Sequence, residues 1–548
     1  MVDYAFKLDP TSTSATDEPE KLATTIRLHE VFAAGVRLEA SAFSIEAHNV
    51  VTALRNSGLP LVPLYGESGL CREGYYPPRF KRIYVISEKG VPFLSSSEII
   101  SLYPATDRFL SRKHTKILQL LFPQKWDVLI SRSGTIGNIG LATEFFLDKA
   151  LSEDAIRLRV NNLDTAGYIA AFLRSRYGRP QLTQATYGSV IVHIEPEHLK
   201  RVLIPNLLPI RRIAIGRPMC KAGELRDEAN QLMDEADRLL HERLNLPYLE
   251  SVAPAGRGAS IAIIKASQLM GRLEGSFHDA VAIATEKQLN KLNVEIATIG
   301  DFRVTKEIRP ITKFRKRVYI EQGGIPLLSS KQIFQIDPVD VKRLAKGAHT
   351  KDLPEIQLEE NMIAVTCSGT IGRVQIIPKY MENWTANQHA TRLFAALHMN
   401  PGYLYAWLAS DYGHCLMTRH AYGSVIPEFD RDMLASVPIP LPEPNVRDEI
   451  GNLILKANRL RDEAWRNEQD AISKLENLIV KKHMAPIQDD TTRQPPDLSE
   501  FSFDPDAPPI WELVAEISAQ VPDEEWKKLP PDLARRFDYY QKQKQGKD

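Results

Sequence analysis

Cysteine is scarce in this chain: four among 548 residues, Cys71, Cys220, Cys367 and Cys415, far apart and without a CxxC pair. That spacing indicates neither a disulfide framework nor a zinc site. No apolar run approaches the roughly 18–20 residues of a membrane span, and the N-terminus lacks a basic-then-apolar signal. The cytoplasm is therefore the expected compartment. An excess of either charge is also missing, with 69 basic and 69 acidic residues. Neutrality speaks against a simple nucleic-acid coat, although local clustering matters more than the total. Catalytic signatures are absent as well. The chain has no Walker P-loop, no GxGxxG after a strand, no HExxH and no Asn/Asp-Pro-Pro-Tyr/Phe element of an amino-methyltransferase. What remains is an ordinary globular composition, 43% apolar and 25% charged, long enough for about three or four domains.

What is present is a repeat. Ser133-Gly134-Thr135-Ile136-Gly137 returns as Ser368-Gly369-Thr370-Ile371-Gly372, 235 residues later. Each copy follows an aliphatic run, Asp127–Ser131 or Met362–Thr366, which reads as a strand entering a tight loop. Other matches keep the same offset. Arg37–Ser41 is answered by Arg272–Ser276, Lys81-Arg82-Ile83-Tyr84 by Lys316-Arg317-Val318-Tyr319, and His114-Thr115-Lys116 by His349-Thr350-Lys351. Tyr187-Gly188-Ser189-Val190-Ile191 is answered by Tyr422-Gly423-Ser424-Val425-Ile426, and Leu225–Ala229 by Leu460–Ala464. So many matches in one register imply a tandem duplication.

Each half reads as a strand-rich mixed domain followed by a long helix. The fold class expected is α+β, with the two helices forming an antiparallel coiled-coil spacer. In the second helix Asn445 is the expected N-cap, with Asp448 and Glu449 in the first turn. Leu453, Ala457, Leu460, Ala464, Ala471, Leu475 and Leu478 form the expected seam, interrupted by the polar Asn467. The helix would span roughly 55 Å at 1.5 Å per residue. In the first helix the seam is Leu225, Ala229, Leu232, Ala236 and Leu239, and Pro218 predicts a break or a late start. The domain plan is residues 1–21 a flexible leader, 22–207 a first recognition domain and 208–250 a first spacer helix. Residues 251–441 are then a second recognition domain, 442–484 a second spacer helix, and 485–548 a linker with a short helical extension around Trp511–Tyr540.

Basic and polar residues gather near the strand–turn units. Arg303, Lys306, Arg309, Lys313, Arg315, Lys316 and Arg317 stand close together with Glu307 the only acid among them. Arg79, Lys81 and Arg82 form a thinner counterpart, and Phe80, Tyr84, Phe314 and Tyr319 interleave with both sets. Such a patch neutralises phosphates, while Gly-Ser-Thr turns offer N–H groups and hydroxyls to phosphates or base edges. A solvated face and a purely structural turn are the plain alternatives. His114 and His349 lack a paired acid or nucleophile in the sequence, which favours a loop role over catalysis. The repeat partner of Cys367 is Arg132, so a shared cysteine nucleophile is excluded.

On these residues the chain resembles the specificity subunit of a type I restriction–modification system. The carriers are the two Ser-Gly-Thr-Ile-Gly loops, Asn387-Gln388 beyond the second, the two Tyr-Gly-Ser-Val-Ile segments, and Ile439-Pro440-Leu441-Pro442 leading into a heptad helix. The resemblance implies two target-recognition domains that read a split double-stranded DNA sequence, with the helices as a ruler. It also implies two separate methyltransferase subunits carrying S-adenosylmethionine, joined in a complete restriction enzyme by a motor and nuclease subunit. No cofactor and no metal are expected in this chain, and no membrane partner. The expected DNA-facing residues are Arg79, Lys81, Arg82, His114, Lys116, Arg132, Ser133, Thr135, Tyr187 and Ser189 in the first half. In the second half they are Lys313, Arg315, Lys316, Arg317, His349, Lys351, Ser368, Thr370, Asn387, Gln388, Tyr422 and Ser424. One departure is that Ser152-Glu153-Asp154 replaces Asn387-Gln388-His389 in the first half. Two rival readings are a fused methyltransferase or nuclease, which methyl transfer by the chain alone would establish, and a protein-interaction scaffold, which failure to shift DNA would favour.

Overall fold

Two long helices organise the chain in the computed structural model, which describes residues 44–133, 135–160, 162–184, 193–252, 264–266, 269, 271–309, 317–320, 323–423 and 425–483. The leader, Arg37–Ser41 and the extension after residue 483 lie outside the described residues. A strand-rich module precedes each long helix. The first runs α1 (Ile45–Asn56), β1 (Leu61–Pro63), β2 (Glu73–Tyr75), β3 (Tyr84–Val85), β4 (Gly90–Leu94), β5 (Phe109–Ser111), β6 (Val128–Ser131), β7 (Ile139–Leu141), β8 (Ala150–Leu151), β9 (Ala155–Arg159), α2 (Leu163–Arg174), α3 (Arg179–Gln184) and β10 (Leu203–Pro205). The long helix α4 (Pro209–Leu244) follows. The second module runs α5 (Ala280–Leu289), β11 (Glu295–Thr298), β12 (Thr305–Arg309), β13 (Ile325–Leu328), β14 (Lys342–Leu344), β15 (Ile363–Thr366), β16 (Val374–Ile376), β17 (Thr385–Ala386), β18 (Ala390–Ala395), α6 (Pro401–Ala409), α7 (Asp411–Thr418) and β19 (Pro438–Leu441), ending in α8 (Pro444–His483).

Strand order follows one scheme in both modules. The first has sheets β2–β9–β6–β7, β3–β5–β4–β8 and β1–β10. The second has β12–β18–β15–β16, β14–β13–β17 and β11–β19. Among the named strands, one pair in each module is parallel, β4 with β8 or β13 with β17, and the others are antiparallel. The pattern follows from short β-branched runs such as Val128-Leu129-Ile130, buried throughout and bounded by turns.

Glycines fix how each module meets its long helix. A Cβ on Gly216 would lie 1.9 Å from the Asp164 carbonyl oxygen, and one on Gly451 would lie 2.2 Å from Asn400 Oδ1. Their facing partners, Gly167 and Gly402, are equally closed: a Cβ there would meet the Gly216 and Gly451 carbonyl oxygens at 2.2 and 2.1 Å. Glycine alone permits this backbone approach. Nearby, Tyr168 donates to the Pro205 carbonyl at 2.6 Å and Tyr403 to the Pro440 carbonyl at 2.8 Å. The Ile-Pro strand is thereby tied to the same buried helix in both modules.

Two helix expectations are corrected. Pro218 lies inside an uninterrupted α4 rather than at a break. A proline there removes one backbone hydrogen bond, but the segment is pinned to the start of α2 from both flanks. Arg217 Nε reaches Asp164 Oδ1 at 3.1 Å, and Cys220 Sγ reaches the Leu163 carbonyl at 3.2 Å. The second helix begins at Pro444, so Asn445 lies within its first turn. Proline suits that opening because its missing N–H has no intrahelical partner anyway.

The long helices pack against each other in opposite directions. Arg243 meets Glu449 at 2.7 Å, Glu228 meets Lys456 at 3.2 Å, and Arg226 lies against Glu468. Ala222, Leu225 and Ala464 share one buried cluster with Leu460 beside it. Leu232, Leu453 and Leu478 are only half-buried, while Met233, Ile454 and Ile479 are fully buried. Arg226, Arg461 and Glu468 are buried polar members of the contact, and Asn458 is buried where it donates to Asn361 and the Ile377 carbonyl, whereas Asn467 is half-buried and donates to the Glu463 carbonyl. Ala471, Leu475 and Ile479 of α8 enter the first module's core, and Ala229 through Leu244 of α4 contribute to the second module's core. The modules also touch directly: Leu102 N donates to the Phe334 carbonyl at 2.8 Å and Ile336 N to the Ile100 carbonyl at 2.7 Å.

Candidate nucleic-acid interface

The Ser-Gly-Thr-Ile-Gly loops link β6 to β7 and β15 to β16 and are shaped from within. Ser131 Oγ donates to the Thr135 carbonyl at 2.5 Å and accepts from Asn138 N at 3.2 Å. Thr366 Oγ1 donates to the Thr370 carbonyl at 2.6 Å and accepts from Arg373 N at 3.0 Å. The last glycine of each loop has positive φ, 91° at Gly137 and 75° at Gly372, which disfavours a side chain there. This internal bracing leaves Thr135 and Thr370 exposed and Ser133 and Ser368 half-exposed.

Around the serine, acid and histidine exchange places between modules. Ser133 Oγ donates to Asp154 Oδ1 at 2.6 Å and lies 3.1 Å from His193 Nδ1. Residues 235 positions further on are His389 and Glu428, the same two classes reversed. Ser368 Oγ donates to Glu428 Oε1 at 3.1 Å. The backbone repeats too: Ser133 bridges His193 and Ser368 bridges Glu428. The sequence reading set Asp154 against His389 but missed His193, although Glu428 stands at the same repeat offset from it.

The arginine before each β-unit finds the middle residue of the divergent triplet. Arg82 pairs with Glu153 at 2.7 Å, and Arg317 donates to Gln388 Oε1. One module therefore satisfies this arginine with a carboxylate and the other with a neutral amide. Arg132 is largely enclosed, its guanidinium 4.2 Å from the Tyr76 ring centroid, 3.9 Å from Asp154 and paired with Glu195. Beside this group, the Tyr76 phenol is pushed above its ordinary pKa by its hydrogen bond to Glu195 and by burial.

The remaining expected residues are dispersed. Arg79, Lys81, His114, Lys116 and Lys351 are exposed, and Asn387 and Gln388 are half-buried. Asn387 shapes its own turn, its Oδ1 accepting from His389 N at 3.1 Å. His349 is buried: Nε2 accepts from Val318 N at 2.8 Å and Nδ1 lies 3.1 Å from Asp352 Oδ2. Tyr422 is exposed at a hairpin base. Tyr187, Ser189, Lys313, Arg315, Lys316 and Ser424 lie outside the described residues. The basic run is less bare than its sequence reads, since Arg303 pairs with Asp301 and Glu295, and Arg309 with Glu307 and Glu359. Among the described residues no group of three His, Cys, Asp or Glu is placed to hold a metal, and no helix is long and apolar enough to cross a membrane.

Residues 293–457 match the family model of the type I restriction modification DNA specificity domain. The second module is a DNA specificity domain. The likeness to type I restriction–modification systems rests on that domain. The match runs from β11 into α8 and contains the Ser368 loop, the Asn387-Gln388 turn and the Tyr422 hairpin. No curated protein matches the chain. Among solved structures, the S subunit of a type I restriction-modification system from M. genitalium is 13% identical. The match covers 78% of this chain and all of that one, with a TM-score of 0.29. The HsdS subunit from Thermoanaerobacter tengcongensis is 15% identical over 78% of this chain and 97% of that one, with a TM-score of 0.24.

Proposed function

We propose that the chain is a non-catalytic specificity subunit whose two modules read the two parts of an interrupted DNA target. The observation that carries this is the specificity-domain match over residues 293–457, within a chain whose first module repeats the same strand order. On this reading the chain is a tandem duplication, with recognition domains at 22–207 and 251–441 and the paired helices at 208–250 and 442–484 as the spacer. The helices set the distance between the half-sites, and the antiparallel contacts of α4 with α8 support that role. The modules read different sequences, because the groups around their loops differ: Asp154 and His193 in one, His389 and Glu428 in the other.

Two methyltransferase subunits, each binding S-adenosylmethionine, pack on the helices, and a motor and nuclease subunit joins in the restricting complex. The DNA-facing set is that read from the sequence, with His349 supporting Val318 from inside. Long-read mapping of methylated bases in the host, with and without this protein, tests the proposal. A bipartite motif that disappears with the protein is expected. An unchanged methylation pattern, or methyl transfer by the purified chain alone, would overturn it.

A further inference from the structure

After α7 the chain turns back toward the core through a short hairpin. Tyr422 N donates to the Glu428 carbonyl at 2.9 Å and Glu428 N to the Tyr422 carbonyl at 2.8 Å. The base of the hairpin is fastened to the Ser368 loop. Gly369 N donates to the Pro427 carbonyl at 3.0 Å, Phe429 N to the Cys367 carbonyl at 3.1 Å, and Phe429 is itself buried. Beyond this closure the side chains turn apolar and face water. Val425 is 89% exposed, Ile426 57% and Tyr422 42%.

We propose that Val425 and Ile426 form a wedge that enters between base pairs of the DNA target; this rests on the module's assignment as a DNA specificity domain. Branched side chains at Cβ are stiff, so little rotamer freedom is lost on insertion. The two-bond closure and the bonds to the Ser368 loop fasten the base of the hairpin beside the half-exposed Ser368. Apolar wedges of this kind unstack a base step and kink the duplex by roughly 20–90°. The step facing the hairpin is then chosen by how readily it unstacks, which favours pyrimidine–purine steps at a position with no hydrogen-bond readout.

The test uses the full chain with its co-expressed methyltransferase subunit. The wild type first enriches its own target from duplexes of random sequence, and 2-aminopurine is then placed along the enriched site. Expected are a bent duplex and a rise in fluorescence at one step. Val425→Ser with Ile426→Ser abolishes both, and Val425→Leu with Ile426→Leu retains both. A serine variant that bends and unstacks DNA like the wild type overturns the wedge while leaving sequence recognition intact. So does a serine variant that bends normally but loses the methyltransferase subunit, which would assign the tip to a protein partner. Failure of the wild type to enrich any sequence overturns the specificity reading and the wedge with it.

Discussion

Arg226 and Arg461 stand 235 residues apart and face the same helix contact, yet only Arg226 meets a carboxylate. Arg226 grips Glu468 through both terminal nitrogens, one of them at 2.6 Å. Arg174 holds the same carboxylate at 2.6 and 3.0 Å and reaches Asp337 of the second module at 3.1 Å. Burial works against the Glu468 charge, but the two guanidiniums outweigh it and bring the carboxyl down to about 2. The position corresponding to Glu468 is Met233, so Arg461 Nη2 lies 2.7 Å from a thioether sulfur and 3.2 Å from the Leu102 carbonyl. Its Nε has no hydrogen-bond partner among the described residues. Burial accordingly pushes the Arg461 pKa down.

The asymmetry predicts opposite outcomes for two substitutions. Glu468→Gln takes the carboxylate from the buried Arg226, leaves Arg174 with Asp337 alone, and should cost about 3–5 kcal/mol. Met233→Glu gives Arg461 a carboxylate at similar side-chain volume and should stabilise by about 1–2 kcal/mol. Equilibrium denaturation measures both. Equal stability of Glu468→Gln and wild type would refute the compensating role of the network.

His241 ties α4 to the second module and predicts a pH dependence. Its Nδ1 lies 3.0 Å from the Leu246 carbonyl, and Nε2 lies 3.3 Å from Asp411 and 3.9 Å from Asp237 at ion-pair range. Tyr248 stacks on the ring at 3.9 Å, and Tyr412 closes the site at 5.8 Å. Burial disfavours the charged ring, but Asp411 and its neighbours prevail, so the pKa is raised. The stabilisation is therefore complete below the unfolded value of about 6.5 and is lost as pH rises through the folded one. The melting-temperature gap between wild type and His241→Gln should be widest in mild acid and narrow in alkali. A gap that widens with pH would reverse the assignment.

The exchange around Ser133 predicts coupling. Asp154→His and His193→Glu should each weaken the first module, because each leaves the Ser133 cluster with two groups of one class. Together they reproduce the second module's arrangement and should return stability to within about 1 kcal/mol of wild type. A double-mutant cycle with no interaction energy would show that the two positions are independent.

The proposed spacer role makes half-site separation a function of helix length. Deleting about seven residues from each long helix within their shared contact removes two turns, roughly 10 Å, or about three base pairs. Methylation mapping should show the non-specific gap shortened accordingly. An unaltered gap would mean that something other than the helices sets the distance.

The basic segment before β13 predicts a salt effect. Lys316→Ala with Arg317→Ala should weaken DNA binding uniformly across sequences and reduce the salt slope by about one to two charges. Titration of binding against salt gives the slope directly. A wild-type slope would place these side chains off the phosphates.

The repeat offset, the strand–loop units and the long helices were legible in the sequence because they rest on local patterns: β-branched runs, glycine turns and an apolar stripe. The same patterns misplaced features that depend on distant neighbours. Pro218 reads as a break, but contacts from Asp164 and Leu163 hold the helix through it. Asn467 reads as the polar member of the seam, but α4 turns Arg461 and Glu468 inward instead. His349 reads as a loop histidine, and only the fold shows that it is buried and accepts from Val318 N. Gly216 and Gly451 are ordinary helix residues in one dimension; only α2 and α6 pressing on them make a Cβ impossible. By itself the sequence determined which segments repeat and what each is made of. The tertiary structure decided which charges are buried together, because burial and pairing depend on the packing of elements far apart in the chain.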